Sequence, residues 1–215
     1  MLSRTFAAAA VLVVAAFVLV GLFLALADPS GALYRGVVPH TAQLPGIGYL
    51  AEAGVLALIG LFAVAAWRVR RGHPARRAAV VTGACGVLVA YAASELLKMF
   101  LTEERPCRAE LALPVCPEAG DWSFPSNHAV IAFGLATAVT ILVPRFAWAA
   151  LPLAAVVAAG RVLQGVHYPH DVLAGSVLGI SVTLAVAVAA TPPLGAIVRR
   201  RTGSTSRRNA AAARW

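Results

Sequence analysis

Apolar positions along this chain come in long unbroken runs, not with the period of a half-buried strand or of a one-sided helix. Six runs stand out: Phe6 to Ala27; Ile47 to Trp67, with one acid, Glu52, near its start; Ala78 to about Leu101, closing on Glu95 and Lys98; a run opening near Ser126 and ending before Pro144; about Phe146 to Gln164, containing Arg161; and one from Asp171 to before Pro192-Pro193. A bilayer core takes about 20 apolar residues of helix, so each run predicts a membrane span. The fourth, at about 18 residues, still crosses most of the core at a rise of 1.5 Å per residue. The chain therefore reads as an all-α, polytopic membrane protein of six transmembrane helices over residues 1–198, followed by a basic tail, 199–215, rich in small residues and expected to be mobile. The first run also has features of a signal peptide, with Arg4 as a basic start and Ala25-Leu26-Ala27 as a small-residue cleavage pattern. Its apolar length exceeds the usual 7–15 residues of such a segment, so a retained span is expected.

Composition sharpens this. Of 215 residues, 60% are hydrophobic and 13% charged, against about 45–50% and 25% in soluble domains. That excludes a soluble globular domain and a disordered chain. The net charge of +9 would suit nucleic acid only on a polar, solvated fold, so the bilayer is the expected partner and nucleic acid is not. Oligomeric state is not encoded in any pattern here. Six spans put Arg4, Arg68, Arg70, Arg71, Arg76, Arg77, Arg145, Arg199, Arg200, Arg201, Arg207, Arg208 and Arg214 on one side, 13 of the 18 basic residues. Arg35, Lys98, Arg105, Arg108 and Arg161 fall on the other. Positive charge marks the cytoplasmic side, so the second group faces out of the cytoplasm; the resemblance given below implies a bacterial-type plasma membrane. The outer connections are Asp28 to Gly46, Thr102 to Pro125 and Gly165 to His170. The middle one holds Cys107 and Cys116, which an oxidising compartment allows to pair as a disulfide or leaves as two free thiols. Cys85, mid-span, reads as a small apolar filler.

Ionisable groups at the ends of spans are costly and mark candidate chemistry. They cluster at the outer ends of the third to sixth runs. Lys98 and Arg105 are seven apart, about two turns on one face if the helix continues, although Pro106 marks its end. Lys98 is the only lysine among 17 arginines. Two cations converging at a membrane surface suit a dianion such as phosphate; snorkelling toward Glu95 or Glu103 is the plainer alternative. Phe124-Pro125-Ser126-Asn127-His128 reads as a loop and a helix N-cap, with Ser126 capping and free N–H groups able to hold an anion. Arg161, His167 and Asp171 have the sharpest spacing: Asp171, four after His167, can fix the imidazole tautomer and free the other nitrogen for attack. Pro169 fits the first helical turn. His170 has no evident partner and is set aside as a bystander.

Taken together these residues resemble the three-part signature of the type 2 phosphatidic acid phosphatase superfamily. Lys98 through Arg105-Pro106 matches its first motif, Pro125-Ser126-Asn127-His128 looks like Pro-Ser-Gly-His, and Gly160-Arg161 through His167 to Asp171 is similar to the third. Asn127 stands where the family has glycine, a change that asparagine's tolerance of unusual backbone angles should absorb. Gly160 stands where the family has serine, with loss of a hydroxyl contact. The wording Gly-Val-His-Tyr-Pro-His-Asp resembles the bacterial undecaprenyl-diphosphate phosphatase branch. The resemblance implies a lipid phosphate or diphosphate phosphatase without metal or other cofactor. In it His167, held by Asp171, attacks phosphorus to give a phosphohistidine, and Lys98, Arg105, Arg161 and the N–H groups around Ser126 and Asn127 bind the phosphate oxygens. His128 serves as the acid toward the leaving group. Phosphatidic acid, phosphatidylglycerol phosphate and polyprenyl-phosphosugars are alternative substrates. Rival readings are a vanadium haloperoxidase, a metal-binding transporter built on His128, His167, His170 and Asp171, which leaves the three cations unexplained, and a non-catalytic scaffold.

Overall fold

The computed structural model describes the backbone of residues 2–113 and 116–212, with side chains described within 4–113 and 116–200. The elements are α1 (Leu2–Leu24), α2 (Ala27–Thr41), α3 (Tyr49–Val69), α4 (Pro74–Lys98), the short α5 (Pro106–Ala109), α6 (Asn127–Leu142), a 3₁₀ turn (Pro144–Phe146), α7 (Ala147–Leu163) and α8 (Pro169–Ala212). All described elements are helical, and five of the helices are long and apolar enough to cross a membrane, with α6 a shorter apolar helix. Each corresponds to one of the six apolar runs.

The shortest spanning helix sits at the centre. α6 packs against α3, α4, α7 and α8, so its apolar residues face protein on most sides and its length need not match the lipid. α1 lies against α8, with Val20 packed in a cluster with Val130, Leu178 and Val182. Its other face, including Val11, Val14, Val18 and Leu22, is exposed as a lipid-facing surface should be. Tyr49 at one end of the bundle and Trp67 and Trp148 at the other are exposed, where interfacial aromatic residues belong.

Small residues set the spacing between helices, since lipid provides no hydrophobic drive for them to associate. A Cβ on Gly175 would lie 2.5 Å from the carbonyl oxygen of Ser126, and one on Gly86 would lie 2.9 Å from Cα of Thr183. Gly179 has the same relation to the carbonyl of Val130. These contacts draw α6, α4 and α8 together, and the Ser126 N–H donates to the Asp171 carbonyl at 3.1 Å. The second and third motifs therefore meet through the backbone.

Four expectations from the sequence need correction. The connection Asp28 to Gly46 is largely the helix α2: Asp28 and Pro29 in its first turn favour helix initiation, and a buried Tyr34 gives it a packed face. The last span does not stop before Pro192-Pro193, because α8 runs through both prolines. The Thr191 and Thr82 hydroxyls meet at 2.7 Å and Gly195 lies close over Ala75, so packing on α4 holds the segment helical across the missing N–H groups. The α8 backbone stays helical to Ala212, while the tail side chains from Arg201 to Trp215 and the backbone of 213–215 lie outside the described residues. Lys98 and Arg105 do not share one helix. α4 ends at Lys98, and Arg105 is extended (φ −67°, ψ 137°) ahead of Pro106, as the residue before a proline tends to be. Finally, Cys85 is an exposed free thiol, on the outside of the bundle instead of filling its core.

Candidate active site

At one end of the bundle the ends of α4, α6, α7 and α8 bring the predicted residues together. The turn before α8 presents His167. Gly165 begins that turn with φ +85°, and a Cβ there would lie 2.7 Å from Leu113 and 2.9 Å from Val38, so both its conformation and its space call for glycine. α2 clamps the turn: the Tyr34 hydroxyl donates to the Gly165 carbonyl at 2.9 Å, and Thr41 Oγ1 to that of Leu163 at 2.9 Å. Burial, followed by the nearby Glu110 charge, pushes the Tyr34 phenol up to about 12, so it stays a donor.

His167 is 1% exposed and Asp171 fully buried. Pro169 is the first residue of α8, which places Asp171 in the first turn with Oδ2 3.2 Å from His167 Nδ1. That oxygen also accepts from the Tyr168 N–H at 2.7 Å and from the Ser123 hydroxyl at 2.5 Å. Ser123 Oγ lies 3.3 Å from His167 Nδ1 as well. On the other edge of the ring, Nε2 faces Arg105 Nη1 at 3.0 Å. Burial first, then the charges of Arg105, Arg161 and Lys98, hold the His167 imidazole well below its usual range. It is neutral at pH 7. With Nδ1–H directed at Asp171, Nε2 carries the electron pair and accepts from Arg105 Nη1.

The cations are buried too: Lys98, Arg105 and Arg161 are 5%, 3% and 6% exposed. A buried charge is retained only with partners, and here the partners are carboxylates that no motif contained. Asp121 Oδ1 lies 2.9 Å from Arg105 Nη2 and 3.4 Å from Lys98 Nζ. Burial would raise the Asp121 carboxyl, but the hydrogen bond and charge of Arg105, with Lys98 behind it, hold it below its usual value. Arg105 also donates from Nε to the Asp121 carbonyl at 2.8 Å and from Nη1 to that of Val166 at 3.1 Å. Glu52 Oε1 lies 3.3 Å from Arg161 Nη1 and 3.7 Å from His128 Nε2. Gln164 Oε1 accepts from Arg161 Nη1 at 3.0 Å. Gly160, the departure from the family serine, explains the reach of Glu52. Its missing Cβ would sit 3.3 Å from Cβ of Leu50 and 3.6 Å from N of Ala51, so the glycine lets α3 approach α7 closely just ahead of Glu52.

Ser126 is the N-cap of α6, but its hydroxyl makes no capping bond and is buried without a partner. Asn127 occupies the first helical position with no positive φ, so the substitution for glycine needs no unusual backbone. Its side chain accepts from Ser94 at 2.7 Å and donates to Glu95 at 2.5 Å, tying α6 to α4. Cys107 and Cys116 are joined in a disulfide with Cα atoms 5.7 Å apart, within the loop that carries Asp121 and Ser123. An open cleft of about 390 Å³, lined by Lys98, Glu95, Asp121 and Trp122, leads to this edge of the site. Among the described residues, Glu103, His170 and Asp171 are the grouping whose ligand atoms lie close enough, within 4.8 Å, to hold a metal ion.

Residues 78–192 match the family model described as the PAP2 superfamily, a stretch that covers over half of the chain and includes Lys98 through Asp171. The chain belongs to the PAP2 superfamily. It is a membrane lipid phosphatase, and the matched segment holds the residues from Lys98 to Asp171, while Glu52, Tyr34 and Thr41 lie ahead of it. Over 138 residues it is 35% identical to the decaprenylphosphoryl-5-phosphoribose phosphatase of Mycobacterium tuberculosis, covering 63% of this chain and 68% of that protein. It is 26% identical over 148 residues to undecaprenyl-diphosphatase BcrC of Bacillus subtilis, covering 68% and 75%. The crystal structure of a PAP2-type phosphatidylglycerolphosphate phosphatase from Bacillus subtilis aligns with a TM-score of 0.47 at 21% identity, covering 83% of this chain and 93% of that one.

Sequence reasoning missed Ser123, Asp121, Gln164, Tyr34 and Thr41 as members of this neighbourhood, and named Glu103 only as a partner for the cations. Glu52 did carry a signal, as an acid within an apolar run.

Proposed function

We propose that this PAP2 phosphatase removes phosphate from a polyprenyl-linked headgroup at the outer face of the membrane, through a phosphohistidine on His167. One observation carries the reading: a buried, neutral imidazole whose Nδ1 is fixed by Asp171 and whose Nε2 faces a guanidinium. Nε2 attacks phosphorus, and the P–N bond forms as the P–O bond to the leaving group breaks. The departing oxygen takes its electron pair and a proton from His128. Water then gives a proton to His128 and attacks phosphorus, returning the P–N electron pair to Nε2 and releasing phosphate. Lys98, Arg105, Arg161 and the α6 N–H groups neutralise the oxygens of both transition states. Asp121 and Glu52 hold these cations when no phosphate is bound and give way when one enters.

Three fixed cations provide the charge that a metal ion supplies elsewhere, so turnover should persist in excess chelator. Loss of activity in EDTA with recovery on Mg²⁺ would overturn the metal-free step. Polyprenyl diphosphate is the first substrate to try. A polyprenyl-phosphosugar is the second, favoured by the 35% identity to a decaprenylphosphoryl-5-phosphoribose phosphatase. Phosphate release by purified protein from these two lipids, phosphatidic acid and phosphatidylglycerol phosphate decides among them. The outward orientation rests on the arginine asymmetry. An impermeant thiol reagent should label Cys107 and Cys116 in intact, reduced cells, and labelling only after permeabilisation would reverse it.

A further inference from the structure

The histidine next to the proposed nucleophile pair is as buried as the pair itself. His170 is 1% exposed, and its ring lies between Phe124 and Tyr168, with centroids 5.7 Å and 5.5 Å away. Both ring nitrogens are engaged. Nδ1 lies 2.8 Å from the hydroxyl of Ser30, which also accepts the His170 backbone N–H at 3.0 Å. The Glu103 carboxylate that faces Nε2 can only accept, so Nε2 carries a ring proton, and the Ser30 hydroxyl donates to Nδ1. Nε2 lies 3.0 Å and 3.2 Å from the two oxygens of Glu103 and 3.3 Å from Oδ1 of Asp171.

Asp171 thus has a polar neighbour at each oxygen, hydrogen-bonded at Oδ2 and at ion-pair distance at Oδ1. Oδ2 receives Ser123, the Tyr168 N–H and His167. Oδ1 is buried, makes no hydrogen bond of good geometry, and has His170 Nε2 as its ion-pair neighbour. A carboxylate can rotate about its last bond. One whose two oxygens face different donors is held against that rotation, and with it the imidazole it orients.

We infer that His170, with its tautomer set by Ser30 and its ring held toward Glu103, is a positioning residue that locks the Asp171 carboxylate and so aims His167 at phosphorus. The inference rests on the proposed role of His167. The order of groups is Glu103, His170, Asp171, His167: two imidazoles alternating with two carboxylates, running inward from the rim. α2 contributes Ser30 to this chain, which gives that helix a part in catalysis beyond covering the turn.

The test is a double-substitution cycle on full-length protein in detergent or nanodiscs, with steady-state kinetics and rapid-quench trapping of phosphoenzyme. His170→Phe keeps a flat ring between Phe124 and Tyr168 but has no donor. It should lower kcat and the rate of phosphoenzyme formation about ten- to a hundredfold, the usual cost of losing an orienting partner, with KM within about twofold. His170→Gln restores an N–H near the Nε2 position and should recover most of the loss. If His170 acts through Asp171, His170→Phe should cost nothing further in an Asp171→Asn background. An equal loss in both backgrounds, or a His170→Phe protein as active as wild type, would overturn the inference. Should His170→Phe fail to fold, Ser30→Ala serves in the same cycle: it frees the tautomer, so a partial loss confined to the Asp171 background supports the chain and an additive loss sinks it. The parent reading fails by a different result, phosphoenzyme that persists in His167→Ala.

Discussion

The two ends of the bundle treat basic residues in opposite ways. At the site end Lys98, Arg105 and Arg161 are buried, and each is met by a carboxylate, Asp121 or Glu52. At the far end the cations are exposed and lie over aromatic rings: Arg70 3.7 Å from Trp67, Arg68 5.3 Å and Arg145 6.0 Å from Phe146. Burying a guanidinium costs several kcal/mol unless it is paired and hydrogen-bonded. A cation at the membrane surface snorkels at almost no cost. The far-end arginines therefore need no explanation beyond topology, whereas the site-end trio needs an anion. The protein supplies carboxylates, which under the proposed function a phosphate replaces, and that difference between the two ends is visible without any motif.

The comparison breaks first at the nucleophile. His167→Ala should abolish turnover and trapped phosphoenzyme together, a loss limited only by assay sensitivity. Acid-labile, base-stable label on that variant would place the nucleophile elsewhere.

Next in size is Arg105→Lys. Charge is kept, but the guanidinium that spans Asp121, the Val166 carbonyl and His167 is lost. An ammonium cannot replace that fork, and kcat/KM should fall about a hundred- to a thousandfold, as for loss of an oxyanion donor. A drop of less than about fivefold would mean that charge alone suffices at this position.

The spans and the motif residues could be read in the sequence because apolar length and fixed spacing are local properties. The rest of the site was hidden because it is built by contacts distant in the chain. Tyr34 reaches the turn that carries His167, and Ser30 the start of α8, from 131 and 140 residues away, on a helix whose Gly31, Gly36 and Pro39 disguise it as a loop. His170 appeared partnerless since Ser30 and Glu103 come from two other connections. Asp121 and Ser123 sit in a loop of ordinary polar composition, and only folding over the disulfide and back to α8 gives them roles. Lys98 and Arg105 converge without sharing a helix: α4 ends at Lys98, and both side chains meet at Asp121.

A smaller effect tests the stand-in carboxylate directly. Asp121→Asn removes the anion that competes with phosphate for Arg105 and Lys98. The Asp121 side chain is 48% exposed, so the pair is screened and worth little. Inhibition by vanadate should tighten about two- to fivefold, and weaker inhibition would show that Asp121 helps to hold the phosphate.

The pH dependence should be slighter still. His167 titrates well below its usual range because of burial and the neighbouring cations, so it stays neutral through pH 6. In a His128→Ala background, which takes the proposed acid out of the profile, phosphoenzyme formation should fall by less than about threefold between pH 7.5 and 6. Stability should move the other way. Below about pH 6.5 the unfolded chain takes up a proton that the folded imidazole refuses, so the folded state loses ground as pH falls from about 6.5 toward the lowered folded value. A steep acid limb at pH 6.5 in phosphoenzyme formation would mean that the imidazole is charged there in the folded protein, against the burial argument.

The smallest effect is expected at the far end. Arg145 is exposed and stacks on Phe146 in the turn between α6 and α7. If it serves only topology, Arg145→Gln leaves 12 of the 13 basic residues assigned to that side, and orientation should hold. It also leaves α6 untouched, whose last turn packs Leu142 with Ala65, Val69 and Ala79. An exposed cation–π contact is worth about 0.5–1 kcal/mol, enough to lower Tm slightly but not to move Asn127 and His128 at the other end of a 16-residue helix. kcat/KM should stay within about twofold of wild type. A tenfold loss with the fold intact would show that the far end reaches the site through α6, and would end the separation between the exposed far-end arginines and the buried cations of the site.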